Sequence, residues 1–518
     1  MAIDLGIVLF YFVAIFIMAI SGKGGKDITS EEYFLSGRNL RWYSIAISTI
    51  ATNVSGYQFL GMMGSAYLFG LAQANLEINA MTGLLMAAFI FVPLYLKERV
   101  ITITQFIKLK LGKTTSLVYS IANISLFATI GLGAALFWGA YAAELVFADM
   151  LTFISDDRLV RITVILISLG VFSAIYTLFG GLSAVVRTDM LQFAILLIGG
   201  IMVTIVAVNQ LGGWDQLYAQ TGDRMHLHLP ADHPTLPWIS LGGMFLLNIN
   251  YWCANQTVMQ RSLAAKSLRD AQVGLMVGGV MKYFMAIIII IPGIALYGMM
   301  GEGGLAEPDQ AFPYLVTNYI PAGYRGVILC ALFASLMSTV DSTFNSLATL
   351  WSIDIYKEYI NKEATDKQLV SAGRKMIIFS LITGILMGMV LLYFKFENSD
   401  QAFTHTLNEL RYYINCGIVV LICSAVLLVG ANKKVAVFAF LITFPINLGL
   451  KWYFGDGLNY FVRAMWVILI GLILFIGYHI FIEKKTIRTN LLYKKDKPIL
   501  IAGLALGISL LLIHLIFH

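Results

Sequence analysis

A chain of 518 residues that is 59% hydrophobic and 12% charged, with a mean hydropathy of +0.80, cannot turn most of its surface to water. Soluble domains carry about 25% charged residues, and the +6 net charge here is spread over connecting segments rather than gathered into a basic face. Soluble enzymes and nucleic-acid binders leave the first rank, and an all-α polytopic membrane protein is expected.

Fourteen hydrophobic stretches follow along the chain, near 2–21, 42–68, 78–97, 115–149, 159–179, 188–210, 238–257, 271–298, 312–352, 375–394, 407–430, 434–453, 460–482 and 498–517. Most reach the ~20 apolar residues that a helix needs to cross a bilayer. Of 35 Lys and Arg, 26 fall in alternate connections: 22–42, 97–114, 182–188, 258–271, 353–375, 431–435 and 483–498. The positive-inside rule puts those connections on the cytoplasmic side of a cell membrane, so both termini lie outside.

The first stretch carries only Asp4 and has neither a basic start nor a small-residue cleavage site, and it is expected to be a retained helix. The second contains Ala51-Thr52-Asn53-Val54-Ser55-Gly56-Tyr57-Gln58, polar at mid-membrane depth; the seventh contains Asn248, Asn250, Tyr251, Trp252, Asn255 and Gln256. Paired interruptions in two halves point to a transport site. They lie five spans apart, an odd number, so two five-helix units beginning there have opposite topology, an inverted repeat. The connection 211–237, with His226, His228 and His233, is expected to be a solvated external loop. Cys253, Cys330, Cys416 and Cys423 sit in apolar segments without metal-ligand spacing and are expected to be buried free thiols.

Ionisable residues at membrane depth cost roughly 2.5–3.5 kcal/mol on insertion scales and are functional candidates. Glu77, Asp189 and Glu409 open the third, sixth and eleventh stretches, where reaching water explains them as well as function does. Lys282 lies inside the eighth and needs an anion, a polar cavity or a substrate hydroxyl. In the ninth, Ser335, Ser338, Asp341 and Ser342 share a helix face with Thr339 beside it. Hydroxyls and a carboxylate are hard donors suited to a hard cation such as Na⁺.

Four blocks carry a resemblance to a known family: Ala51–Phe59, Tyr176–Asp189, Tyr251–Ser267 and Asn345–Tyr359. The chain resembles the sodium/solute symporters, and within them the sodium/sugar cotransporter branch, over about residues 40 to 430. The resemblance implies a LeuT-like core of ten helices over 40–430, with the first and sixth core helices broken. An extra N-terminal helix and loop precede it in 1–39, and three further helices follow in 431–518. It implies a sodium site made by the carbonyls of Ala51, Val54 and Ser335 with the hydroxyls of Ser338 and Thr339. A second sodium, held in some relatives, would map to Asp189, Ser338, Asp341 and Ser342. For sugar, the branch's pattern maps onto Asn53, Gln58, Glu77, Asn248, Tyr251, Trp252 and Lys282, and loosely onto Asn408 in place of Gln. Leu76 stands where sugar transporters often have an aromatic.

The expected activity is sodium-driven symport of a polyhydroxylated small solute, a hexose such as glucose or galactose, by alternating access and without covalent chemistry. A myo-inositol, amino sugar, sialic acid, carboxylate or amino acid symporter stays open, as does a channel. The oligomeric state is not legible.

Overall fold

The computed structural model describes residues 2–21, 28–148, 151–321, 323–397, 403–489 and 496–518. Lys23, Lys26, Lys494 and Lys495, counted above in basic connections, lie outside them. Among the described residues there is no β-strand, only the isolated bridges Leu40–Ala265 and Leu229–Pro237. The principal helices are α1 Ala2–Ile20, α2 Trp42–Asn53, α3 Met63–Phe69, α4 Ala80–Met86, α5 Lys113–Leu126, α6 Leu132–Phe147 and α7 Arg158–Leu211. They continue as α8 Ser240–Ile249, α9 Gln256–Leu263, α10 Leu268–Met300, α11 Ala311–Tyr319, α12 Tyr324–Thr349 and α13 Asp366–Glu397. The last are α14 Phe403–Leu427, α15 Lys433–Leu441, α16 Thr443–Phe454, α17 Tyr460–Gly477 and α18 Lys497–Ile516.

Among the described residues eleven helical spans are long and apolar enough to cross a membrane, two of them holding two of the expected stretches. The difference has a physical origin. α7 is two helices that meet at a kink at Gly181: at ~1.5 Å per residue, the parts before and after it are roughly 35 and 45 Å long, and each is enough for one crossing. It holds both the fifth and sixth expected stretches, and the expected connection 182–188 is helical. The kink is confined to Gly181, whose φ of 54° lies in the region that favours glycine. Likewise, the span Gln58–Lys97 contains two expected stretches, divided at Gly70.

The ninth expected stretch is two elements, α11 and α12, and α12 continues as a π-wound segment to Ile360. The connection expected over 353–375 is therefore helical at both ends. The loop 211–237 is not simply solvated. It contains a helix, Trp214–Thr221, and is pinned to the end of α18: Leu227 N donates to Phe517 O at 2.7 Å, and the His228 and His514 rings stack at 5.2 Å. Among the described residues no group of three His, Cys, Asp or Glu is arranged to hold a metal.

The second and seventh stretches are interrupted where the polar residues predicted it. α2 stops at Asn53, and Val54 is extended (φ −80°, ψ 113°). After α8 and the π-wound turn Asn250–Ala254, Asn255 takes nearly the same conformation (φ −84°, ψ 116°) before α9 begins. Two breaks of the same kind face each other in the middle of the bundle.

Around them α7 packs along α12, α10 along α2, and α1 against both α7 and α12. Small residues permit the approach: a Cβ on Gly199 of α7 would stand 2.5 Å from the Cβ of Ala331 on α12. Asp4 of α1 accepts from the backbone of Gly323 and Gly326 at 2.7 and 2.8 Å, which fastens that helix to the start of α12.

Candidate functional site

The break after Asn53 frees backbone groups that the helix would otherwise satisfy. Ser55 N donates to Gln58 Oε1 at 2.7 Å, not to the carbonyl of Ala51 four residues back. Gln58 N donates to Ser55 O at 2.9 Å, not to Val54 O. The carbonyls of Ala51 and Val54 thus both lack their helical donor. Gln58 Nε2 closes the gap by donating to Asn53 O at 3.0 Å.

Asn53 joins the two breaks. Its Nδ2 donates to the Tyr251 hydroxyl at 2.9 Å, and its Oδ1 accepts from Lys282 Nζ at 2.5 Å. Lys282, 1% exposed on α10, forms a short ion pair with Glu77, 2% exposed on the segment Asn75–Ile78. The same ammonium lies 5.8 Å from the Trp252 ring, and Tyr251 packs edge-on against that ring at 5.0 Å. Asn248 Nδ2 donates to Asn79 O at 2.9 Å. Gly83 leaves room for the indole, since a Cβ there would stand 2.5 Å from Trp252 Cδ1.

These groups line a cavity of about 260 Å³, with Leu76, Asn408 and Arg411 also in its wall. All eight residues expected to bind solute border it. The volume falls just below the range of drug-sized ligand pockets and suits one small solute.

On α12, the Thr339 hydroxyl donates to Thr52 O and Ser335 O, both at 3.1 Å, so it bridges α12 to the end of α2 beside the freed carbonyls. Ser338 turns elsewhere: its hydroxyl donates to Asp189 Oδ1 at 2.5 Å. Asp189 also accepts from Ser48 through a very short bond and lies 3.5 Å from Arg261 Nη2. Arg261, wholly buried on α9, bonds Ser48 at 3.0 Å and makes short bonds to Thr257 O and the Ser342 hydroxyl. Asp341 faces α7, accepting from Ser173 at 2.5 Å, Thr177 at 3.4 Å and, more closely, Tyr176. Asp189 and Ser342 are therefore linked through Arg261, while Asp341 has a separate set of hydroxyl partners.

Two charged groups at or beside the cavity were not among the residues expected from sequence. Arg261 was counted among the charges of the connection 258–271, whereas α9 carries it back into the core. Arg411, two residues beyond Glu409, is not among the intramembrane charges expected from sequence, although an arginine within the stretch 407–430 is the signal that points to it. Glu409 itself pairs with Arg463 at 2.5 Å and Lys451 at 3.0 Å, away from the solute groups.

Residues 33–443 match the model of the Sodium:solute symporter family, most of the chain. The chain belongs to that family. This symporter is 31% identical over 456 residues to the sodium/glucose cotransporter of Vibrio parahaemolyticus, covering 83% of this chain and 81% of the relative. It is 29% identical over 421 residues to sodium/glucose cotransporter 1 of Oryctolagus cuniculus, covering 73% of this chain and 62% of that longer protein. Its fold is that of a Na⁺-coupled sialic acid symporter solved in a substrate-bound outward-open state, with a TM-score of 0.79 at 18% identity over 95% of this chain and 99% of the other. The symporter is a multi-pass membrane transporter, and sodium is its coupling ion.

Proposed function

We propose that this symporter moves a polyhydroxylated solute, a monosaccharide of hexose size, into the cell with sodium by alternating access. The observation that carries the reading is the buried Glu77–Lys282 pair, bridged by Asn53 to Tyr251 and roofed by Trp252. A carboxylate accepts hydroxyl protons, an ammonium and amides donate to hydroxyl oxygens, and an indole face covers the apolar side of a sugar ring. The sodium/glucose cotransporters among its relatives favour the same class.

The coupling sodium is assigned to the carbonyls of Ala51, Val54 and Ser335 and the hydroxyls of Ser338 and Thr339. Two donorless carbonyls beside a bridging hydroxyl support that assignment. Asp189, Asp341 and Ser342 are assigned to a second cation. The ten-helix core over 40–430 works as an inverted repeat hinged at the breaks near Val54 and Asn255, and the fourteen crossings leave both termini outside. One sodium falling through 100 mV releases about 2.3 kcal/mol, enough with a tenfold gradient to support several-hundred-fold accumulation.

Proteoliposomes loaded with the purified chain test this directly. Labelled glucose or galactose should accumulate only with an inward sodium gradient. Conductance without solute accumulation would identify a channel instead.

A further inference from the structure

The charges of the solute cavity do not balance. Three charged side chains border it: Glu77, Lys282 and Arg411. Glu77 and Lys282 neutralise each other in a short ion pair. Arg411, on α14, has no such partner. Among the described residues no carboxylate lies within ion-pair distance of it, and no hydrogen bond or ring contact engages it. The titratable groups that face it are Tyr57, Tyr251 and Tyr412, all neutral. Glu409, the acid nearest along its own helix, is committed to Arg463 and Lys451.

An unpaired guanidinium held at membrane depth is expensive unless a ligand supplies its counter-charge. It presents a planar fork of donors that matches a carboxylate bidentately. Arg411 shares one small cavity with the hydroxyl-binding groups, so the anion and the hydroxyls belong to one molecule of monosaccharide size.

Building on the polyhydroxylated-solute reading, we infer that the transported solute is a sugar carboxylate of the hexuronate type, whose carboxylate is held by Arg411 while its hydroxyls meet Glu77, Lys282, Asn53 and Asn248. The Glu77–Lys282 pair contributes no net charge, so it does not repel the anion. The net formal charge of the lining side chains is therefore that of Arg411.

The test is sodium-driven uptake by the full chain in proteoliposomes, comparing D-glucuronate and D-galacturonate with glucose, galactose and the uncharged amide D-glucuronamide. The wild-type protein should prefer a hexuronate to its amide and to the hexose by about tenfold or more. Arg411→Gln should collapse that ratio, and Arg411→Lys should keep part of it. The amide comparison needs no substitution, so it stands even if a variant fails to fold. Hexose or amide uptake equal to or better than hexuronate uptake would overturn the inference and leave the polyhydroxylated-solute reading intact. Loss of transport when methanesulfonate replaces chloride, with selectivity unchanged, would assign Arg411 to an inorganic anion and also overturn it. Absence of sodium-dependent uptake of every sugar tested would remove the underlying reading and the inference together.

Discussion

Removing one member of the Glu77–Lys282 pair should cost far more stability than removing both, while all three variants lose binding. Lys282 and Glu77 are 1% and 2% exposed, and among the described residues that line the cavity Glu77 is the single acid, with Lys282 and Arg411 the bases. Lys282→Met alone leaves a buried carboxylate without its ammonium, and Glu77→Gln alone leaves the converse. Either should cost about 3–5 kcal/mol of stability, the usual consequence of stranding one charge of a buried pair. The double variant strands neither and should regain most of that loss. Solute binding should not be regained. Each charged group contributes about 1.5–3 kcal/mol through hydrogen bonds to hydroxyls, so dissociation constants should rise about tenfold to more than a hundredfold in all three variants. Thermal unfolding in detergent gives the first quantity, and calorimetry or tryptophan fluorescence in sodium gives the second. A double variant that unfolds like wild type and binds sugar like wild type would refute the assignment of this pair to the solute.

Thr339→Ala removes the hydroxyl that bridges α12 to Thr52 O, and should shift sodium activation of uptake to higher concentration with little change in unfolding temperature; an unchanged sodium curve counts against this residue as a ligand. Gly83→Ala should weaken solute binding without removing a polar side chain, because the new methyl would meet Trp252 Cδ1 at 2.5 Å and the Asn248 carbonyl at 2.9 Å and push the ring aside; equilibrium binding measures it. Asp341→Asn should lower the Hill coefficient for sodium and leave sugar selectivity intact, and measured charge movement per solute checks the stoichiometry. Burial, with the nearby His518, holds His228 below the ordinary histidine range, so the unfolded chain takes up that proton first. The stability of the 226–228 clamp is therefore full at neutral pH and declines as pH falls through about 6.5. Melting temperature from pH 8 to 5.5 should fall less in His228→Gln than in wild type.

How much was legible depended on whether a feature is local. The breaks at Val54 and Asn255 were visible because polar side chains at mid-membrane depth are costly wherever the helices pack. The residues expected to bind solute could be named because each carries a polar or aromatic group at membrane depth, and they border one cavity. What stayed hidden was set by partners. Ser338, Asp341 and Ser342 share a helix face by spacing, yet Ser338 turns to Asp189, Asp341 to hydroxyls of α7 and Ser342 to Arg261 of α9, and rotamer and helix rotation decide that. Arg261 looked like a loop charge because a helix that resumes after a break is indistinguishable from a loop when its face carries Gln256, Gln260 and Arg261. The helical connection within α7 was misplaced because loop length is a weak signal when a single glycine makes the turn.

The placement of Arg261 bears on the stoichiometry. Asp189, Asp341 and Arg261 are all wholly buried in neighbouring positions on α7, α12 and α9. With both acids ionised the trio carries one negative charge, and one further positive charge neutralises it. A proton on Asp341, held among Ser173, Tyr176 and Thr177, supplies that charge without a second ion. A sodium ion supplies it only where hydroxyl oxygens and a carboxylate converge, and beside Asp189 the guanidinium already occupies Ser48 and Ser342. Two like charges within a few ångströms in a low-dielectric core repel strongly. A second sodium at Asp189 therefore requires Arg261 to withdraw toward Thr257, which sits one turn behind it on α9, immediately after the break at Asn255. Were a second sodium to enter there, this arginine would tie its charge to the start of α9, directly after the break at Asn255.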